Sequence, residues 1–167
     1  MAIDIFDNII ETDESNNTIA TTIEEVTFPA LDPDQFIDRV VELTNQERTQ
    51  LGLDPLTADP LLNQAAQTHT ENMAEQDFFS HTGLDGSSVG DRIEATGYDF
   101  STWAENIAAG RQTPEAVVAG WMNSDGHRRN ILNPNLEEIG VGYYFLEEDT
   151  GSVNFNHYWT QVFATPL

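Results

Sequence analysis

Residues 138–163 read EIGVGYYFLEEDTGSVNFNHYWTQVF, and this stretch decides the fold class of the chain. In residues 138–145 an apolar side chain recurs at every second position, which is the period of a β-strand. Residues 153–163 alternate in the same way, and residues 147–152 between the two runs are rich in turn-forming residues. We therefore predict two antiparallel strands joined by a hairpin.

In the chain before these strands, apolar residues recur at the spacing of amphipathic helices. Three predicted helices open on a capping residue followed by proline at the first helical position, at Asp32-Pro33, Asp59-Pro60 and Thr113-Pro114. A short helix fits residues 89–95, and the last helix ends by Gly126. Helices first and antiparallel strands last predict an α+β domain built in layers.

The charge balance is strongly acidic and excludes one class of partner. The 167 residues include 29 acids against six arginines and no lysine, for a net charge of −23. Binding to a nucleic-acid backbone requires a basic patch, so we predict no nucleic-acid partner. Docking on an anionic lipid surface is disfavoured for the same reason. We interpret the acidic residues as a solvated surface that favours solubility.

Three features that would indicate a cellular compartment are missing from the sequence. There is no cysteine, so no disulfide forms and redox chemistry says nothing about location. No apolar run reaches the length of about 18 residues that a membrane-spanning helix needs, so we predict no transmembrane segment. Residues 1–10 lack the basic start and the apolar centre of a signal peptide, so none is predicted.

The charge pattern also divides the chain into two parts. Residues 1–34 are rich in Asp and Glu and contain no basic residue, and residues 11–22 read ETDESNNTIATT. Such a composition is typical of flexible linkers. We predict an acidic N-terminal segment or linker over residues 1–34 and one folded domain over residues 35–167.

Three side chains are the main candidates for chemistry. Glu105 lies in the segment WAENI, and a carboxylate between hydrophobic residues is costly unless it is paired or hydrogen-bonded. His81 follows the end of the second predicted helix, and His157 lies inside a predicted strand. Imidazole and carboxylate groups serve as acid–base catalysts and zinc ligands, and they also serve as structural hydrogen-bonding groups. The motifs of zinc peptidases, serine hydrolases, P-loop enzymes and dinucleotide-binding enzymes are absent.

The other histidines and two arginines are interpreted as structural. His69 lies on the apolar stripe of the second helix, so we expect it to pack in the core. His127 lies in residues 124–128, which we predict to be the turn that ends a helix. Arg128 and Arg129 are expected to form an internal ion pair with a nearby acid, because buried acids need a partner. Asn45 and Arg48 are expected to tie the first helix to the rest of the domain.

Six short segments between residues 43 and 163 resemble the motifs of one known family. In order along the chain they are LTNQER with GLDPL (43–48 and 52–56), FFSHT (78–82), AENI (104–107), WMNSDGHRRNIL (121–132), GVGY (140–143) and HYWTQVF (157–163). Together they resemble the CAP superfamily (cysteine-rich secretory proteins, antigen 5 and pathogenesis-related 1) in its bacterial, cysteine-free form. Ala104 departs from the glycine of the family motif.

The resemblance implies a fold, a site and a location. The fold would be an α-β-α sandwich, with a small antiparallel sheet between helical layers. A central cavity is lined in many members by two histidines and two acids, and the matching residues are His81, His157 and Glu105. The second acid of the family corresponds to Ser124, three residues after Trp121, so one member of the set is replaced. The resemblance also implies an extracellular or periplasmic location.

Two functions are compatible with such a cavity. In the first, the domain is a non-catalytic extracellular binding module, whose ligand is a small apolar molecule such as a sterol or fatty acid, or else an extracellular protein or glycan. In the second, His81, Glu105 and His157 bind a divalent metal such as Zn²⁺ and activate water, as in a metal-assisted hydrolase such as a peptidase. A purely structural role is also open, in which the three side chains hydrogen-bond one another and brace the helices against the sheet.

Overall fold

The computed structural model describes residues 33–167. The acidic segment predicted over residues 1–34 lies outside these residues, apart from its last two positions, and stays a prediction. Within the described residues the helices are α1 (Pro33–Gln50), α2 (Pro60–Glu75), α3 (Val89–Ala95), α4 (Pro114–Met122) and α5 (Asp125–Ile131). The strands are β1 (Thr57–Ala58), β2 (Phe100–Ala109), β3 (Glu138–Phe145) and β4 (His157–Pro166). No helix in this part of the chain has the length and apolar character needed to cross a membrane.

The helix starts predicted at Asp59 and Thr113 are confirmed, and the third predicted cap, Asp32, lies outside the described residues. The Asp59 carboxylate accepts hydrogen bonds from the backbone N–H groups of Leu61 and Leu62 at 2.8 and 3.1 Å. The Thr113 hydroxyl accepts one from the Ala116 N–H at 3.2 Å. In both helices the proline that follows the cap needs no such partner, since it has no N–H.

The structure differs from the sequence-based prediction in two places. Residues 124–128, predicted to be a turn, form the start of the separate helix α5. Ile131 is the only buried residue of this helix, so its sequence shows no apolar stripe. The strand predicted over residues 153–163 begins only at His157. The preceding residues form a loop in which the buried Asp149 carboxylate accepts hydrogen bonds from two consecutive backbone N–H groups.

The four strands form one sheet in the order β1-β3-β4-β2. Strand β4 is central and pairs antiparallel with both β3 and β2. The predicted antiparallel sheet is therefore confirmed for these three strands, and the two-residue β1 adds a parallel pair at one edge. Strand β2, which the sequence pattern did not reveal, forms the opposite edge.

The sheet separates two groups of helices, as expected for an α-β-α sandwich. Helices α2 and α3 pack on one face, over a core that includes Leu62, Ala65, Ile93, Val162 and Ala164. Helices α1, α4 and α5 pack on the other face, over a larger core that includes Val40, Trp121, Ile131, Trp159 and Phe163. Because side chains alternate along a strand, neighbouring residues of β2 and β4 face different helical layers.

Two glycines of β3 allow α2 to lie directly on the sheet. A Cβ atom at Gly140 would lie 2.1 Å from the carbonyl carbon of Leu62, and one at Gly142 would lie 2.6 Å from that of Ala66. Both neighbours are backbone atoms of a helix, which cannot rotate away as a side chain can. These positions therefore require glycine because there is no room for a side chain.

Arg48 is a buried base, 2% exposed, near the end of α1. Its guanidinium donates hydrogen bonds of 2.8–3.2 Å to the backbone carbonyls of Asp54, Ile131, Asn133 and Leu136. These carbonyls belong to the loop after α1, to the end of α5 and to the chain that leads into β3. Asn45 acts in a similar way, since its amide exchanges hydrogen bonds of 2.7 and 2.9 Å with the backbone of Leu56. Both residues thus tie α1 to the rest of the domain, as predicted.

We expect Gly140→Ala to lower the free energy of unfolding by about 2–3 kcal/mol, because the added methyl group pushes α2 away from β3. Urea unfolding followed by tryptophan fluorescence measures the change. Gly126→Ala is the matched control, since a Cβ atom there meets only the end of the Arg129 side chain at 4.0 Å. Alanine in this helical position is expected to be neutral or slightly stabilising. Equal stabilities for the two variants would contradict the close contact.

We expect Arg48→Met to destabilise the domain by about 3 kcal/mol or more, because it leaves several buried carbonyl groups without a donor. The control is Arg39→Met, whose ion pairs with Glu42 and Glu115 lie at the surface. Exposed pairs of this kind contribute about 1 kcal/mol or less. Thermal and urea unfolding of both variants test the difference, and the interpretation fails if the two variants are destabilised equally.

Candidate functional site

The centre of the candidate site is the buried carboxylate of Glu105 on strand β2. Its side chain is 1% exposed and faces the layer of α2 and α3. Oε1 lies 2.7 Å from His81 Nδ1, and Oε2 lies 2.7 Å from the guanidinium of Arg92. Burial of a charge is costly unless it is paired, and here each oxygen has a charged or polar partner.

Arg92, on helix α3, is the base that neutralises this carboxylate. Helix α3 starts with a capping box, in which the Ser88 hydroxyl accepts from the Asp91 N–H and the Asp91 carboxylate accepts from the Ser88 N–H. Arg92 also donates to the carbonyl of Ser87 at 3.2 Å. The cap thus fixes the short helix from which Arg92 reaches Glu105.

The sequence predicted ion pairs with a nearby acid for two other arginines, Arg128 and Arg129, and among the described residues only Arg128 forms one. Arg128 pairs with exposed Asp125 at 2.5 Å and donates to the carbonyl of Met122 at 2.9 Å. No salt bridge of Arg129 occurs among the described residues. Nothing in the sequence around Arg92 distinguishes it from a surface arginine, and only the packing of α3 against β2 reveals its role.

His81 lies in the loop after α2 and presents its ring to solvent. The side chain is 54% exposed, although its Nδ1 is held by Glu105. A carboxylate accepts a hydrogen bond, so Nδ1 carries a proton in this arrangement. Nε2 has no hydrogen-bond partner among the described residues. The pair therefore presents one oriented imidazole nitrogen at the surface.

An open groove of ≈ 360 Å³ lies beside this imidazole. It is lined by His81, Val89, Trp103, Ala104, Glu105 and Asn130. Trp103 is 42% exposed. The Nε1 edge of its indole lies against helix α3, where a Cβ atom at Gly90 would be 3.2 Å away. The groove thus combines one aromatic surface with one polar, oriented imidazole.

A chain of amides fixes the floor of this groove. Asn130 on α5 donates to the Glu105 carbonyl at 3.1 Å and to the Asn106 side-chain oxygen at 2.9 Å. Asn106 in turn donates to Gln161 at 3.0 Å, and Gln161 donates to the hydroxyl of Thr44 on α1 at 2.8 Å. The network runs along the face of the sheet that α1, α4 and α5 cover, and it links the groove to α1.

His157, the third predicted member of the cavity, lies on the other face of the sheet. In the β2–β4 register Glu105 is opposite Val162. His157 differs from Val162 by an odd number of residues, so the two side chains face different layers. Its Nδ1 lies 2.9 Å from the Tyr143 hydroxyl, its ring stacks on that tyrosine, and burial lowers its pKa. The predicted three-residue cavity is therefore corrected to the pair His81–Glu105, with His157 apart.

The residue of β4 that does face the Glu105 side is the next one along the strand, Tyr158. It is buried, and its hydroxyl donates to Asp149 at 2.5 Å. Neighbouring residues of a strand point to opposite faces of the sheet, and the spacing of motifs alone does not reveal which face a residue occupies.

The predicted zinc ligands do not fit a metal centre. No group of three or more His, Asp or Glu side chains in residues 33–167 is arranged to hold a metal ion. Both oxygens of Glu105 are already bonded to Arg92 and His81. We therefore derive no metal-dependent step from this site.

Ser124, which replaces the second acid of the family pattern, lies at the start of α5 and forms no side-chain capping hydrogen bond. It lines a separate small pocket of ≈ 220 Å³ together with His127. Burial, together with the nearby His81, lowers the pKa of the His127 imidazole. His127 is helical, and its carbonyl accepts a hydrogen bond from Asn106 at 3.2 Å, so it contributes structurally as well.

Comparisons with known proteins agree with these features. The model of the cysteine-rich secretory protein family, CAP, matches residues 41–163. The uncharacterized protein YkwD of Bacillus subtilis is 45% identical over 125 residues, and the uncharacterized membrane protein YlbC of the same organism is 38% identical over 104 residues. These alignments cover 75% and 62% of this chain, but 45% and 30% of the two relatives. The chain thus spans less than half the length of these relatives.

Solved structures share the fold. An extracellular protein containing a SCP domain from Bacillus anthracis is 30% identical with a TM-score of 0.67, and the match covers 80% of this chain and 44% of that one. An outer surface protein from Borrelia burgdorferi has a TM-score of 0.70 at 22% identity, covering 82% of this chain and 97% of that one. On the family match and the sandwich fold together, this cysteine-free chain belongs to the cysteine-rich secretory protein (CAP) family.

Proposed function

We propose that this CAP domain is an extracellular binding module that recognises its ligand in the groove beside His81 and Trp103. One observation carries the proposal: the Glu105 carboxylate is buried and both of its oxygens are bonded, to Arg92 and to His81. Glu105 therefore orients His81 and does not itself reach a substrate. What remains open to a ligand is an oriented imidazole and an exposed indole face.

The extracellular location is supported by one relative. The Bacillus anthracis protein, which shares 30% identity with this chain, is described as extracellular. An acidic surface without lysine suits an aqueous exterior, because it keeps the domain soluble and monodisperse. The location of the whole protein is part of the proposal.

The shape and polarity of the groove favour a sugar over a lipid. Sterols and acyl chains need an enclosed, mostly apolar cleft that removes most of their surface from water. The groove here is open and pairs the indole of Trp103 with the polar groups of His81 and Asn130. A sugar ring offers the complementary chemistry, with an apolar face that stacks on an aromatic ring and hydroxyls that hydrogen-bond at its rim.

The charge of the domain narrows the class of sugar further. With a net charge of −23, long-range electrostatics disfavour approach of sulfated or phosphorylated glycans. Arg92, which bonds Glu105 of the groove lining, is already neutralised by that carboxylate. We therefore assign neutral or amino-sugar oligosaccharides as the ligand class.

One observation favours a hydrolase as the second candidate. A buried carboxylate that accepts from His81 Nδ1 resembles the arrangement that orients a histidine for acid–base catalysis. In that function His81 Nε2 would take a proton from an attacking water. No serine or threonine hydroxyl is hydrogen-bonded to His81 Nε2 among the described residues, so the binding module is the better supported of the two.

We expect Trp103→Ala to weaken binding of a neutral oligosaccharide about tenfold or more, a change that corresponds to ~1.4 kcal/mol of lost stacking. Isothermal titration calorimetry with tetramers of N-acetylglucosamine, of β-linked glucose and of α-linked glucose measures the affinity. We expect His81→Ala to weaken binding several-fold, because it removes one hydrogen bond.

The matched control is Phe145→Ala, which removes an equally exposed aromatic ring from β3, next to His157. Its affinity should equal that of the wild type. A different outcome is that palmitate binds and none of the three oligosaccharides does. If Trp103→Ala then lowers the affinity for palmitate, the site is kept and the ligand class is apolar. A complete lack of binding to any of these probes would overturn the proposed site.

We expect the bound oligosaccharide to be recovered intact after prolonged incubation, because the groove lacks a positioned nucleophile. Chromatography of the incubated mixture, with and without a chelator, measures cleavage. Cleavage that disappears in His81→Ala would establish the hydrolase in place of the binding module. Cleavage that persists in this variant would indicate a contaminating activity, which a repeat with freshly purified protein removes.

A further inference from the structure

His69 is a buried histidine that neither proposed function uses. It lies on α2 and is 1% exposed. Its Nε2 lies 2.9 Å from the carbonyl oxygen of Ser80, the residue that directly precedes His81. Its ring also contacts Phe78 edge-on, with a centroid distance of 5.9 Å. The imidazole thus reaches across from the helix to the loop that carries the site.

The loop over residues 79–82 has few other attachments. The last backbone hydrogen bond before it runs from Phe78 N–H to the Met73 carbonyl, and the next loop contact, from Thr82 N–H to the Ser80 hydroxyl, stays inside the loop. Among the described residues, the His69 bond is the one that ties the backbone of this loop to a helix.

From this geometry we infer that His69 is a positioning residue, which holds the Ser80 carbonyl and thereby sets the place of His81 relative to Glu105. A carbonyl only accepts, so His69 Nε2 carries the proton and Nδ1 does not. Nδ1 is the single buried side-chain nitrogen or oxygen of the described residues that has no hydrogen-bond partner. Burying an unpaired Nδ1 is costly, and the Nε2 contact to Ser80 is the hydrogen bond that the ring gains in return. We therefore attribute the presence of histidine at this position to that bond.

The surroundings of His69 favour the neutral ring that this role requires. Burial lowers the pKa of His69, and the nearby Arg92 and His81 lower it further, while Glu105 and the hydrogen bond to Ser80 act in the opposite direction. A protonated ring would have to leave a charged Nδ1–H without an acceptor in the core. The neutral ring, with its proton on Nε2, therefore persists at neutral pH.

The inference rests on the proposed role of His81 for its functional meaning, but its test needs no ligand. In the wild type, long-range ¹H–¹⁵N spectra of the imidazole rings should show His69 with its proton on Nε2 and His81 with a hydrogen-bonded proton on Nδ1. A His69 ring protonated on Nδ1 would overturn the inference without any variant.

Two variants then test whether the bond positions His81. His69→Gln keeps a side-chain N–H that reaches Ser80, and the slowly exchanging Nδ1 proton signal of His81 should persist. His69→Leu keeps the volume but removes the donor, and we expect loss of this signal. The control is Leu62→Ala on the same helix, which destabilises the core two turns away and should leave the His81 signal in place.

The possible outcomes separate this inference from the proposed function. An unchanged His81 signal in folded His69→Leu overturns the positioning role, whether or not a sugar binds. If His69→Leu does not fold, the test rests on two other results. These are the tautomer of His69 in the wild type and the Nδ1 proton signal of His81 in His69→Gln. Loss of the His81 signal in Leu62→Ala as well would reduce the effect to general destabilisation. Failure of oligosaccharide binding, with the His81 signal behaving as expected, overturns the ligand and leaves the positioning role intact.

Discussion

The site is arranged around one constraint, which is the buried carboxylate of Glu105 on the edge strand β2. Glu105 has a side chain that is almost completely inaccessible, so its charge must be compensated inside the protein. Helix α3 meets this requirement by presenting Arg92, and the loop after α2 meets it by presenting His81. The position of both elements relative to β2 is therefore linked to one ion pair. Removal of either partner would leave the carboxylate only half satisfied.

The same principle of buried polar groups with complete sets of partners extends through the rest of the domain. Arg48 bonds backbone carbonyls from three segments, and the amides from Asn130 to Gln161 connect α5, β2 and β4 to α1 on one face of the sheet. Such networks define one arrangement of the helices, since an incomplete set of hydrogen bonds in the interior is costly. The apolar cores on the two faces supply most of the stabilisation, and the polar networks determine which residues face the groove.

Local sequence patterns predicted most of the fold but only part of the candidate site. Capping residues such as Asp59 are recognised from the chain alone, because the hydrogen bonds they make are to residues two or three positions away. The unusual surroundings of Glu105 were equally visible. The face on which His157 lies depends on the register with β2, and the pairing of Arg92 depends on how α3 packs. Both depend on contacts between residues far apart in the chain, which short motifs and periodicity do not reveal.

His69 shows a further limit of the sequence analysis. A residue on an apolar stripe is predicted to pack in the core, even when it also bonds a distant carbonyl.

The two side-chain donors along the outer edge of β2 have a consequence for assembly. Asn130 bonds the Glu105 carbonyl, and the indole of Trp121 bonds the Ile107 carbonyl at 3.3 Å. These are the acceptors that an incoming strand from a second molecule would need for cross-chain pairing. With both occupied, an incoming strand would have to compete with Asn130 and Trp121 for these two carbonyls, which disfavours edge-to-edge growth into aggregates. The domain gains this protection without a disulfide and without burying the edge under an additional strand.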